Sequence, residues 1–405
     1  MSVALGITRP LPVRTTQVSD PGDLLSHLPS TAPYAWIRHG QGLVGWGQAA
    51  RVAVPPGPGR FAWARRWLAD VFADAHDQPG TGPVAFGTFT FDENATGSVL
   101  VVPQATLIRR DGRSWLTTVG DAPHESPLTP ARAPGRISYG DGSLTAPEWE
   151  HIVAHAAQRI RDGELEKVVL ARDLTATAEH PIDVRVLLTR LADRYPDCYT
   201  FSVDGLVGAT PELLIRRTGP HIESLVLAGT TARGADPAAD RANGIALFNS
   251  AKDRHEHECA IASVRQALAP LCSTLHTPDE PELLVLPNVQ HLASPVSGHL
   301  ADGATVLDVV AAMHPTAAVG GTPTATAVDL IREIEGMDRA GYAGPVGWID
   351  AHGDGEWGIA LRSGIVDGNQ ARLFAGCGIM GDSDPASELA EAQAKFRVMQ
   401  YALEG

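Results

Sequence analysis

From residue 166 onward, runs rich in β-branched and aromatic residues follow one another with too few helical stretches between them for a parallel sheet. EKVVLARDL (166–174), YTFSVDGLVGATPELLIRR (199–217), IESLVLAGTTARG (222–234), GPVGWIDAHGDGEWGIALRSGIV (344–366) and ARLFAGCGIM (371–380) read as strands. Parallel neighbours would need a long crossover, usually a helix, between each pair. The late run instead turns back on itself around Gly353–Gly355 as a hairpin ladder. The pattern therefore implies an α+β fold with antiparallel sheets, not a doubly wound one.

The helices are punctuated clearly. Thr145 and Glu148 have capping-box spacing, Trp149, Ile152, Val153, Ala156 and Ile160 keep one apolar face, and Gly163 stands where the helix should stop. A long helical stretch is expected from about Pro237 to Leu271, and a last helix from about Pro385. Before residue 120, PVAFGTFTF (83–91), SVLVVPQATLI (98–108) and GRSWLTTVG (112–120) read as strands. Residues 121–145 are rich in Pro, Gly and Ser and read as a linker or long loop. The length of 405 residues by itself suggests two or three domains.

A net charge of −15 argues against a phosphate backbone or an anionic membrane surface as partner. No run approaches the ~20 apolar residues of a membrane span. The N-terminus lacks the basic start and apolar run of a signal peptide. Four cysteines without a C-x-x-C pair read as reduced thiols, which points to the cytoplasm.

Only three of the 32 basic residues are lysine: Lys167, Lys252 and Lys395. Arginine serves wherever a fixed cation is enough, but it cannot lose its proton. Lys167 opens a strand beside Val169 and Ala171, small apolar neighbours that could desolvate an amine enough for it to act as a base. It could equally snorkel to water from the strand end. Glu212, ahead of an apolar run, could be held protonated as a general acid, or could be an ordinary turn glutamate. On the last helix Glu388, Glu391 and Lys395 fall within an arc of about 60°. They could hold a hard cation such as Mg²⁺ or form a solvated ion-pair ladder. The histidines of HIVAH (151–155) and KDRHEHEC (252–259) lack metalloprotease spacing and read as surface or supporting residues.

Taken in order, KVVLAR, GATPELL, LAGTTARG, KDRHEH, HLASPVSG, HPTAAVGGTP, YAGPVGWIDAHGDGEWGIALR and AGCGIMGDSDPASELAEAQAK resemble the chorismate-utilising enzymes. That group includes isochorismate, salicylate, anthranilate and aminodeoxychorismate synthases. The strong match runs from about Glu164 to Leu403, with a weaker echo around FGTFTF.

The resemblance implies one large domain over residues 1–405, with two antiparallel sheets packed as a sandwich flanked by helices, as in anthranilate synthase component I. Residues 1–120 would be a divergent N-terminal part and 146–405 the catalytic core. It implies Mg²⁺ on Glu256 and Glu391, with Glu388 acting nearby through water. Arg362 and Lys395 would be the cations around chorismate, and Gly378 a backbone donor. Gly229, Thr230, Ala318 and Val319 would form substrate loops, and His291 and Tyr342 would line the site.

Lysine at 167 resembles the water-adding members, in which it is the base, whereas the anthranilate type carries glutamine there. Ala228 departs from the aminodeoxychorismate branch, which carries a nucleophilic lysine. Within the water-adding group, the GW and DGEW pattern is closest to isochorismate synthases, with a salicylate synthase as the alternative. The expected partner is chorismate alone, with a monomeric chain and no glutaminase subunit. The product of such an enzyme feeds siderophore, menaquinone or salicylate synthesis. One departure is Gly320, where the family often has cysteine.

Overall fold

Described in the computed structural model are residues 11–73, 80–120, 129–285, 289–301 and 303–405. The first ten residues of the expected leader-free N-terminus, and residues 121–128 of the expected linker, lie outside them.

Two antiparallel sheets, one of twelve strands and one of ten, make up the β structure of the described residues. Both mix early and late chain. In the larger sheet Ile37 stands opposite Thr200, and in the smaller Thr88 stands opposite Val346. Their inner faces share a core in which Trp36, Phe86, Phe201, Val346 and Trp348 cluster. A polar tie crosses that core: Trp36 Nε1 donates to Glu356 at 2.8 Å, from one sheet to the other. The helix Ala146–Arg161 and the C-terminal helix Pro385–Glu404 pack on the larger sheet, and Ala251–Leu268 covers the smaller. No helix among the described residues is long and apolar enough to cross a membrane.

Three places show why pattern and structure differ. SVLVVPQATLI is two strands, Val99–Val102 and Ala105–Arg110, that belong to different sheets. Pro103 stands between them and cannot donate to a ladder. The long helix after Pro237 is two helices, Pro237–Asn249 and Ala251–Leu268. Ser250 is extended between them, and its hydroxyl accepts from the Asp253 N–H as an N-cap. Within the expected linker, Ile137–Asp141 forms a strand along Leu174–Ala178. It is a largely exposed edge strand held by backbone bonds, so it leaves no apolar alternation to read.

The crossings between sheets position the site. The chain leaves the larger sheet after Leu206–Thr210 and enters the smaller at Leu213–Thr218, passing through Pro211 and Glu212. It returns from Gly355–Ile359 to Ser363–Asp367 through Ala360–Arg362. The two crossings are stitched together: Ile359 N–H donates to Glu212 O at 3.2 Å, and Ala209 N–H to Arg362 O at 3.2 Å.

Candidate active site

Glu212 and Arg362 thus come together because each sits where a strand switches sheet. The Glu212 side chain is buried, and that burial pushes its carboxyl up to about 7, with Arg362 and Lys167 pulling in the opposite direction. Arg362 adopts a left-handed backbone, φ 48°, a strained state for a residue with a side chain. Among the described residues no carboxylate lies within ion-pair distance of its guanidinium. Its charge is nonetheless felt at Glu212, His291, Tyr342 and Glu391. A strained, unpaired arginine at a junction is suited to receive an anionic group from outside the chain.

Lys167 begins the strand Lys167–Ala178, where Val169 stands opposite Gly378. Its side chain lies over that glycine: a β-carbon on Gly378 would be 2.8 Å from Lys167 Cε. The Lys167 ammonium donates to Glu256 Oε1, from the helix Ala251–Leu268. Lys395 donates to Gly376 O at 2.7 Å and pairs with Glu391 at 2.6 Å. Gly376 is kept bare by Tyr342, whose hydroxyl would stand 3.1 Å from a β-carbon there. Tyr342 stacks on Phe374, and its burial keeps the phenol protonated.

On the smaller sheet, Gly229 has φ 78° and makes a bulge between Ala228 and Thr230 in the ladder with Val289–Leu300. A positive-φ bulge of this kind suits glycine and re-aims the residue after it. Thr230 Oγ1 meets His291 Nδ1 at 2.9 Å. His291 Nε2 is buried and finds no partner among the described residues, and burial together with Arg362 and Lys395 pushes the ring down to about 4. The imidazole is therefore neutral, with one nitrogen left for a ligand.

Glu388 and Glu391 form a candidate cation site with Cys377, one ligand atom of each lying within 4.8 Å of the others. Burial, assisted by Glu391, raises Glu388 against the hydrogen bond from Ser383. Burial also works upward on Glu391, but Lys395 and Arg362 outweigh it and hold it below its usual range. The Cys377 thiol, pushed up to about 12 by burial, stays protonated and is a poor ligand for a hard ion. The two carboxylates fit an oxygen-seeking divalent cation. Glu256 is not a member of this cluster and instead neutralises Lys167.

Lys167, Glu212, Gly229, Thr230, Glu256, His291, Tyr342, Arg362, Gly378, Glu391 and Lys395 are thus linked through contacts or mutual fields. Ala318 lines a recess with Glu212, Val226 and Met313. Val319 stands apart: its side chain is core, its N–H donates to Thr316 O, and its carbonyl accepts from Arg339. Lys252 pairs with Asp382 at 3.4 Å, not with Glu256, and lies exposed. His257, read as a surface or supporting residue, is buried between Ala228 O and Ser294 Oγ. Cys377 and Ser383 went unread as site residues because neither has a spacing signal.

A family model described as chorismate binding enzyme matches residues 121–404. The chain is 41% identical over 266 residues to the isochorismate synthase MenF of Bacillus subtilis, an alignment covering 65% of this chain and 56% of that protein. It is 39% identical over 347 residues to a putative isochorismate synthase MenF of Mycobacterium tuberculosis, covering 82% of this chain and 89% of that one. The solved structure of MenF, the menaquinone-specific isochorismate synthase from Escherichia coli, superposes with a TM-score of 0.83 at 25% identity, covering 98% of this chain and 95% of that one.

Proposed function

The chain belongs to the chorismate-binding enzyme family, and from that premise we propose that it isomerises chorismate to isochorismate. The observation that carries this reading is buried Glu212, its carboxyl raised to about 7 by burial while it lies within the field of the Lys167 side chain. A protonated carboxyl and an amine in one site are the acid–base pair that exchange of a hydroxyl between two ring carbons requires.

Once freed from Glu256 and having lost its extra proton to solvent, the Lys167 amine takes a proton from a water molecule as that water's oxygen bonds to C2. The ring double bonds shift, the C4–O bond breaks, and the departing hydroxyl leaves as water with the Glu212 proton. One water enters and one leaves, so the substrate is isomerised without net hydration. Arg362 and Lys395 hold the anionic substrate, which also explains how an acidic protein accepts a dianion. His291 Nε2 and the Tyr342 hydroxyl supply neutral polar contacts. The residues that would hold Mg²⁺ are Glu391 and Glu388, with Glu256, the further ligand that the resemblance implies, able to join them only once it is released from Lys167, and the ion would supply Lewis-acid neutralisation of the ring carboxylate.

The test is incubation of the purified chain with chorismate and Mg²⁺, followed by chromatography. Isochorismate as product supports the proposal. Salicylate with pyruvate identifies a salicylate synthase instead, and ammonium-dependent anthranilate an amidating member. Tight chorismate binding without consumption would identify a sensor.

A further inference from the structure

The strand that carries Lys167 has an open edge. At its start it pairs with Gly321 and Thr322, and from Leu174 it pairs with Ile137–Asp141. Between these, Val169 to Ala171 face no strand on that side among the described residues. They are buried, so their peptide groups need partners. Side chains supply them. Arg339 Nη2 donates to Val169 O at 2.6 Å, Glu335 Oε2 accepts from Ala171 N–H at 2.8 Å, and Trp149 Nε1 donates to Ala171 O at 3.0 Å.

Arg339 and Glu335 are themselves paired, Nε to Oε1 at 2.6 Å, and are only 3% and 1% exposed. The second arm of the arginine reaches the loop after His314: Nη1 donates to Val319 O at 3.1 Å. That loop returns to the same strand, Val169 N–H donating to Gly320 O at 2.9 Å. The guanidinium lies 4.1 Å over the Phe91 ring, and Phe91 O accepts from His314 Nε2 at the start of the loop. The Arg339 carbonyl accepts from Tyr342 N–H at 2.9 Å. One buried pair therefore ties together the Lys167 strand, the loop bearing Ala318, and the segment bearing Tyr342.

We propose that Arg339 and Glu335 are positioning residues for the reaction, a side-chain substitute for a missing strand that sets Lys167 against the 316–322 loop. They act through Val169, Ala171 and Val319 and touch no substrate. The assignment rests on the function proposed above for the meaning of its kinetics, but not for its geometry. Only a planar fork can serve Glu335 and two carbonyls at once. Lysine at 339 keeps the charge opposite Glu335 and loses the fork.

The test is Arg339→Lys, with Glu335→Gln as a second variant. In Arg339→Lys the melting temperature should stay within a few degrees and kcat should fall about tenfold to a hundredfold, the size of a small misplacement of reacting groups. KM should change less than kcat, and the pH dependence assigned to Glu212 should stay in place. Hydrogen exchange at Val169, Ala171 and residues 316–322 should rise, a readout that holds whatever the reaction is. Glu335→Gln should move exchange and kcat in the same direction. Unchanged exchange in a folded variant overturns the positioning role even if the chain proves not to isomerise chorismate. Wild-type kcat and KM in Arg339→Lys, or an activity loss that only tracks unfolding, overturns it as well. A wild-type chain that consumes no chorismate, yet shows the exchange change, overturns the proposed function and leaves the tie between strand and loop supported.

Discussion

Lys167 lies across Gly378 so closely that a single methyl group on the glycine would stand 2.8 Å from Lys167 Cε. The absent side chain is thus part of how the amine is aimed. Gly378→Ala should displace the lysine, because the clash is with the far end of a flexible chain and not with backbone. The glycine has no positive φ, so little stability is at stake, about 1 kcal/mol for mild overpacking. Turnover should fall on the order of a hundredfold. Melting curves set beside product assays check this, and a fully active Gly378→Ala enzyme would remove Lys167 from its assigned place.

The three lysines should respond to arginine in a fixed order. Lys167→Arg should be the most damaging, since a guanidinium cannot take a proton from water. Lys167→Ala should be inactive while still folded. Lys395→Arg should be intermediate, because it keeps the charge but must refit between Gly376 O and Glu391. Lys252→Arg should be close to neutral, as its ion pair among the described residues is an exposed one with Asp382. Steady-state kinetics on the four variants test the order, and near-normal isochorismate formation by Lys167→Ala would end the base assignment.

Glu212 has a pH signature whose sign can be worked out. Its carboxyl titrates near 7 in the folded chain against an ordinary 4.5. As an acid it must be protonated, so kcat should decline as pH rises through about 7. The folded chain also holds a proton that the unfolded chain has lost between 4.5 and 7. The resulting contribution to stability is complete below 4.5 and disappears as pH rises through about 7. Glu212→Gln should cut kcat by about a hundredfold or more and flatten the dependence of melting temperature on pH in that window. A variant that keeps the wild-type limb near pH 7 would assign that limb to another group.

The candidate site was legible where chemistry and local spacing coincide. Glu391 and Lys395 on one helix face and the capping box at Thr145 are local patterns, whereas Gly229 came with the resemblance and its bulge shows only in the ladder. What was not legible depends on distant chain. Nothing in GATPELL says that Glu212 marks a change of sheet, or that Arg362 marks the return. The Arg339–Glu335 pair was hidden for a similar reason. At spacing i, i+4 it looks like an ordinary surface ion pair, and only the open edge of a strand some 170 residues earlier makes it buried and specific. The family resemblance placed Glu256 among metal ligands. The geometry adds that the same carboxylate is the partner of Lys167.

Glu388 and Glu391 are the oxygen donors of the candidate cation site, while Cys377 beside them stays a thiol. Stripping with a chelator should abolish turnover, and Mg²⁺ should restore it. Glu391→Gln should weaken Mg²⁺ binding measured by calorimetry in the presence of chorismate, and Glu388→Gln should do so to a smaller degree. Cys377→Ala should leave Mg²⁺ affinity nearly unchanged. Full activity in chelator-treated protein would exclude the site from the reaction, and loss of Mg²⁺ affinity in Cys377→Ala would show the thiol to be a ligand.

Two adjacent glycines on the site loop should behave in opposite ways. Gly320, where the family often carries cysteine, has ordinary backbone, and a β-carbon there would meet nothing closer than Thr316 O at 3.4 Å. Gly320→Ala should therefore be accepted without loss of activity. By restricting the unfolded chain it should stabilise the protein by about 0.4–1 kcal/mol. Gly321 has φ 135°, and a β-carbon there would lie 2.2 Å from Lys167 O and 2.8 Å from Val168 Cα. Those neighbours are backbone and belong to the strand that carries the proposed base, so they cannot give way without moving it. Gly321→Ala should lower the melting temperature and turnover together. If Gly320→Ala were as damaging as Gly321→Ala, the loop would have to pack against the strand more tightly than this arrangement allows.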